Sequence, residues 1–262
     1  PSKTTMYTKD GDLVTTLIEV PLIEDLPKGF MACRLGKRNF SWRSDKPASL
    51  IYCEALDGGD PASEAEFRDE VYQLEAPFKG EGKSLIKLKN RYSYIQWGNN
   101  EFAIAHDYWW NNRNRKTYLF NPSDASAEAK ILYDRNYQDR YSDPGRFVTD
   151  RNELGSSVVA SKDGKVYLLG AGYSDKGQFP FLDQLDLNTY ESSRVYQSEY
   201  TNKVEQLLDY DLVNDKLLVR IESPTDYPNY YFRDLGGDQL KQLSFFTNPF
   251  KSIQDIEKQV IS

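Results

Sequence analysis

Apolar residues along this chain come in short runs of four to six, set apart by tight polar turns rather than in helical stripes. Phe40 to Arg43 leads through Ser44-Asp45-Lys46-Pro47 to Leu50-Ile51-Tyr52-Cys53. Tyr92 to Trp97 leads through Gly98-Asn99-Asn100 to Phe102-Ala103-Ile104-Ala105. Ser157 to Ala160 leads through Lys162-Asp163-Gly164 to Val166-Tyr167-Leu168-Leu169, and Leu207 to Leu212 through Asn214-Asp215 to Leu217-Leu218-Val219. The four turns recur at roughly 50–65 residues, the mark of an internal repeat.

Each repeat continues into a third and a fourth strand. In the second these are Thr117 to Phe120 and Ala129 to Tyr133, in the third Phe181 to Leu187 and Ser193 to Tyr196. In the fourth they are Tyr230 to Arg233 and Leu240 to Phe245; the first is less regular, with Glu70 to Leu74 and Ser84 to Leu88. The second strand of each repeat is apolar at both parities, as a strand covered on both faces should be. Blade-on-blade stacking covers both faces, so the pattern predicts an all-β, partial β-propeller of about four four-stranded antiparallel blades. Residues 1–24 read as the outer hairpin of an incomplete blade, 25–249 as four blades, and 250–262 as a short helix with a linker. The stretch from Arg135 to Leu154 makes the second repeat longer than the rest. It is too polar for a core strand, so it is expected to project from one rim.

Composition narrows the function. The 262 residues carry 33 basic and 40 acidic side chains, a net charge of −7, which argues against duplex DNA as a partner. No apolar run is long enough to span a bilayer and no signal peptide is read at Pro1, so no membrane partner is expected. One histidine, His106, and two cysteines, Cys33 and Cys53, do not make a zinc site or a disulfide framework; the two thiols could pair in an oxidising compartment, but are read as ordinary buried ones. No metal or cofactor is expected. Asp57-Gly58-Gly59-Asp60, Asp163-Gly164 and Asp209-Tyr210-Asp211 are read as turns, because Asp and Gly tolerate the conformations that turns need.

The residues from Arg38-Asn39-Phe40-Ser41-Trp42-Arg43-Ser44-Asp45-Lys46-Pro47-Ala48 through Glu54-Ala55-Leu56-Asp57-Gly58-Gly59-Asp60-Pro61 carry a resemblance. Arg68-Asp69-Glu70-Val71-Tyr72, Trp109-Trp110 with Arg113 and Thr117, and Tyr141-Ser142-Asp143-Pro144-Gly145 extend it over nearly the whole chain. The chain resembles the propeller domain of the prolyl oligopeptidase family of serine peptidases, in its glutamyl-endopeptidase-like branch. It departs from that pattern at His106, Asn111 and Asn112. The resemblance implies a propeller set over an α/β-hydrolase domain of the same polypeptide, which follows it and carries a Ser-Asp-His triad.

The chain itself offers no catalytic residue. Gly155-Ser156-Ser157-Val158-Val159 lacks the closing glycine of a nucleophile elbow, and His106 is read as a structural residue. The basic and aromatic run from Tyr108 to Lys116 could stack the bases of a single strand, but the net charge and the single patch argue against a nucleic-acid partner. Arg113 and Lys116, with Arg43, are the candidates for drawing the acidic side chains of a peptide substrate, since guanidinium forks match carboxylates. The reading is a non-catalytic fragment that gates and orients peptides. The alternative is a stand-alone protein-interaction propeller, with a carbohydrate-active propeller more remote. An incomplete ring leaves apolar blade faces bare, so self-association is expected of the fragment. The compartment stays open, with export or a periplasmic location one expectation for the parent protein.

Overall fold

The computed structural model describes residues 1–22, 24, 26–237 and 239–249. The helix expected from Phe250 to Gln259 lies outside the described residues. Every regular element within them is a strand. The chain divides into two compact units, Pro1–Gln138 with Asp150–Val159, and Asp139–Thr149 with Ala160 onward.

The first unit opens with the hairpin β1 (Ser2–Tyr7) and β2 (Leu13–Val20). A first blade follows from β3 (Arg38–Trp42), β4 (Ser49–Ala55), β5 (Asp69–Glu75) and β6 (Lys83–Leu88), hydrogen-bonded in that order. The second blade is built likewise from β7 (Arg91–Trp97), β8 (Ala103–Trp109), β9 (Asn114–Phe120) and β10 (Lys130–Asn136). All neighbours are antiparallel, and each blade is a simple meander, which short turns alone can connect. Ile51, Cys53, Val71 and Leu88 of the first blade pack on Tyr92, Trp97, Ala103 and Ala105 of the second. On the other face of the first blade, Leu50, Tyr52 and Leu74 meet Met6 and Leu17 of the hairpin. The strand β4 is therefore buried at both parities, as its composition requires.

In the second unit the third blade departs from expectation. After β11 (Arg146–Phe147) the chain runs through β12 (Thr149–Arg151) and β13 (Ser157–Val159), which belong almost wholly to the first unit. It continues with β14 (Ser161–Lys162), β15 (Lys165–Gly170), the small hairpin β16 (Tyr173–Ser174) and β17 (Gly177–Gln178), and then β18 (Phe181–Asp186) and β19 (Ser192–Gln197). The sheet runs β11-β15-β18-β19, with β14 also on β15, while β12 and β13 form a separate hairpin. The edge position expected for Ser157 to Ala160 thus belongs to Arg146–Phe147. Phe147 and Val148 are buried, and the Val148 amide donates to the Tyr167 carbonyl at 2.8 Å. The segment from Arg135 to Leu154 therefore does not project as a whole: Tyr141 is exposed, but its apolar pair at 147–148 enters the core. Within a mostly polar stretch of twenty residues, one apolar pair leaves no periodic signal. Between β14 and β15, Asp163 and Gly164 both take positive φ (52° and 71°), the conformation that makes Asp-Gly a hairpin turn.

The fourth blade is β20 (Val204–Asp211), β21 (Lys216–Glu222), β22 (Asn229–Asp234) and β23 (Gln239–Gln242). Its second strand corrects the double-parity reading, because buried and half-buried positions alternate along β21. Leu217, Val219 and Ile221 pack with Tyr167, Leu169 and Leu182 of the third blade. The opposite face, with Tyr230 and Phe232, stays exposed among the described residues.

Phe147→Ala should cost roughly 3–5 kcal/mol of stability, because it empties a packed site in the third blade. Tyr141→Ala in the same segment should change stability by less than about 0.5 kcal/mol. Urea denaturation of the two variants measures both, and equal effects would place the whole segment outside the core.

Candidate functional site

Sequence reading assigned Asp57 to a turn, and it does accept the Gly59 amide at 3.0 Å. Gly59 itself has φ +75°, and a Cβ there would fall 2.0 Å from the Cys33 carbonyl oxygen, so only glycine fits. The other role of Asp57 was not legible. Its Oδ2 accepts from Arg68 at 2.8 Å and its Oδ1 from Arg91 at 2.8 Å. Arg91 also reaches Asp69 at 3.1 Å and donates through Nε to the Met31 carbonyl at 2.9 Å. Asp69 completes the group by binding Arg38 and accepting the Tyr92 amide at 2.7 Å. Arg38 donates in turn to the Cys53 sulfur at 2.7 Å. Trp109 closes the cluster from above, with the Arg68 guanidinium 4.1 Å from its ring centroid.

Three guanidiniums thus share two buried carboxylates, and Arg38 Nε and Arg91 Nη2 remain buried donors without a partner among the described residues. Burial alone would push the Asp57 carboxyl up, but the hydrogen bonds from Arg91 and Arg68 outweigh it and hold the group below its ordinary value. Burial pushes the Cys53 thiol up to about 12, and Cys33 also upward, against the pull of Arg38 and Arg91. Neither sulfur is a thiolate near neutral pH, and the two are free thiols, Cys53 buried and Cys33 half-buried. This cluster is a structural lock rather than a reactive centre.

The three candidate basic residues stand apart in their commitments. Arg43 is buried, with Nε and Nη2 on the two oxygens of Asp45 at 3.0 and 2.6 Å, Nη1 on Gln73, and its plane 4.1 Å from the Trp97 ring. Lys116 is held by Asp134, whose carboxyl is lowered chiefly by that bond. Arg113 lies at the turn between β8 and β9, stacked 3.9 Å from the exposed Trp110 ring and donating to the Trp110 carbonyl. The structure brings none of the three together around one point.

His106 is the sole imidazole. Its Nε2 lies 3.0 Å from Gln96 Oε1, its Nδ1 3.3 Å from Thr117 Oγ1, and Tyr94 stacks on it at 4.3 Å. Burial, aided by the charge of Arg115, lowers its pKa to about 4. Both ring nitrogens are occupied, so it is a structural histidine.

No family model matches the chain. A protein of Oryza sativa subsp. japonica named "Probable glutamyl endopeptidase, chloroplastic" is 33% identical over 277 residues, and its namesake from Arabidopsis thaliana 32% over 278; both alignments take in 100% of this chain. The chain is a relative of the glutamyl endopeptidases. It spans 30% and 29% of the length of those two proteins. Among solved structures, prolyl oligopeptidase B from Galerina marginata, bound to a 25mer macrocyclization substrate, aligns with this glutamyl-endopeptidase relative at TM-score 0.43 and 13% identity. That alignment covers 81% of this chain and 29% of the other.

The depressed pKa of His106 has a consequence in solution. The folded imidazole titrates near 4 and the unfolded one near 6.5, so the unfolded state takes up the proton first as pH falls. The contribution is complete above about pH 6.5 and is lost progressively down to about pH 4, in all about 3 kcal/mol. Urea midpoints measured across that window should slope for the wild type and flatten for His106→Gln; parallel curves would contradict the assignment.

Proposed function

We propose that this chain is the non-catalytic propeller portion of a serine peptidase of the prolyl oligopeptidase family. In this reading the blades of residues 25–249 restrict access to an α/β-hydrolase domain of the same polypeptide and orient the peptide that reaches it. The observation that carries the reading is the similarity to the glutamyl endopeptidases over the full length of the chain. The commitment of His106 to Gln96 and Thr117 supports it, since a serine nucleophile needs an imidazole with a free ring nitrogen as its base. Peptides are the substrate class in this reading. Of the three basic candidates, Arg113 is the one with guanidinium donors to spare, whereas Arg43 and Lys116 are held by Asp45 and Asp134.

The isolated chain should hydrolyse no Glu-containing fluorogenic peptide and take no label from a fluorophosphonate probe. A polypeptide joining it to its hydrolase domain should do both, and should accept longer peptides once the blades are deleted. Turnover by the isolated chain that the probe blocks would overturn the reading, as would an unchanged size limit after deletion.

In isolation the uncovered face of the fourth blade, with Tyr230 38% and Phe232 37% exposed, is expected to drive self-association. Light scattering over a dilution series measures it, and a compact monomer at every concentration would count against it.

A further inference from the structure

Two adjacent tryptophans at the end of β8 face opposite ways. Trp109 is buried over Arg68, inside the ion-pair cluster. Trp110 is 42% exposed and carries partners on its own side: the Phe30 ring with centroids 5.6 Å apart, and the Arg113 guanidinium 3.9 Å from the ring centre. Phe30 is 86% exposed, yet its chain neighbour Met31 is buried, and the Met31 carbonyl is fixed by Arg91. The shelf therefore stands on a rigid base. Isolated exposed aromatics are ordinary, but two in contact, with an arginine on one of them, have the composition of an interface hot spot.

Arg113 is also in an unusual place. Its φ of +57° puts it in the left-handed region, in a turn where glycine or asparagine would sit without strain. Nη1 donates to the Trp110 carbonyl, which orients the fork and leaves Nε and Nη2 without a bond among the described residues. Charge points the same way. Along Arg113-Asn114-Arg115-Lys116, Lys116 has a carboxylate in Asp134, whereas neither Arg113 nor Arg115 meets one among the described residues. The hairpin end thus presents unneutralised guanidinium beside exposed aromatic rings.

The geometry points to Phe30, Trp110 and Arg113 as a docking shelf for an acidic peptide segment. A carboxylate of the segment takes the open edge of Arg113, and a neighbouring apolar side chain lies on the Phe30 and Trp110 rings. Single-stranded nucleic acid would use the same stacking chemistry, but it needs a basic groove along its backbone, and the chain carries a net charge of −7. This inference rests on the reading of Arg113 as a peptide-facing residue, and binding measured on the chain alone tests it separately from peptidase activity.

Fluorescence anisotropy with a labelled peptide, acetyl-Glu-Leu-Glu-Phe-Glu-amide, tests it. The chain should bind this peptide, and the Gln counterpart should bind at least about tenfold more weakly. Arg113→Gly should weaken binding by a similar factor while the melting temperature holds or rises, because glycine relieves the backbone at that turn. Phe30→Ala and Trp110→Ala should weaken binding as well; if Trp110→Ala fails to fold, Arg113→Gly and Phe30→Ala still decide. No binding by the wild type, equal binding of the Gln peptide, full affinity in Arg113→Gly, or displacement of the peptide by a short oligo-dT strand would each overturn the proposal.

Discussion

A carboxylate sealed from water holds the first unit together. Asp69 is completely buried, with Arg38 and Arg91 on one oxygen and the Tyr92 amide on the other. An ionised group in that position is tolerable only when its lone pairs are filled, since the desolvation cost of a buried charge is several kcal/mol. The bonds join the first strand of the first blade, its third strand and the first strand of the second blade. Neighbouring blades that meet through apolar faces alone could slide by two residues with little loss of burial; a buried ion pair permits one register.

The same device recurs. In the second blade Asp107 accepts from Tyr118, from the Asn90 amide and side chain, and from the Lys116 amide, so it ties β8 to β9 and to the connection that precedes β7. In the second unit Glu205, almost fully buried, accepts from Arg233 within the fourth blade and from Tyr196 of the third. In each case a buried acid accepts from donors on other strands. Strands covered on both faces have no wet side on which to leave polar groups, so their few buried charges become specific joints.

These joints divide the basic residues into two populations. Arg38, Arg43, Arg68, Arg91 and Arg233 face inward and are matched to carboxylates. Arg113 stays at the surface, stacked on an exposed ring and not on an acid. A cation whose charge is already answered inside the fold adds little attraction for a ligand, so the interaction potential of the first unit concentrates at the few guanidiniums the fold leaves unanswered.

The sequence by itself determined the class of the fold, most of the strand runs, the turns that separate them and the likeness to glutamyl endopeptidases. Alternation, paired apolar parities and Asp-Gly turns are local properties, and a chain with one histidine already limits the chemistry it can perform. It also placed Arg113 and Trp110 on one short turn. Only the tertiary structure decided that Phe147 and Val148 enter a core sheet, that Asp57 is an ion-pair partner as well as a turn residue, and that Arg43 is sealed against Asp45 and Trp97. It alone brought Phe30 onto Trp110, eighty positions away in the chain. Whether a charge is paired depends on which strands the packing sets side by side, and that distance in space has no counterpart in the spacing of residues along the chain.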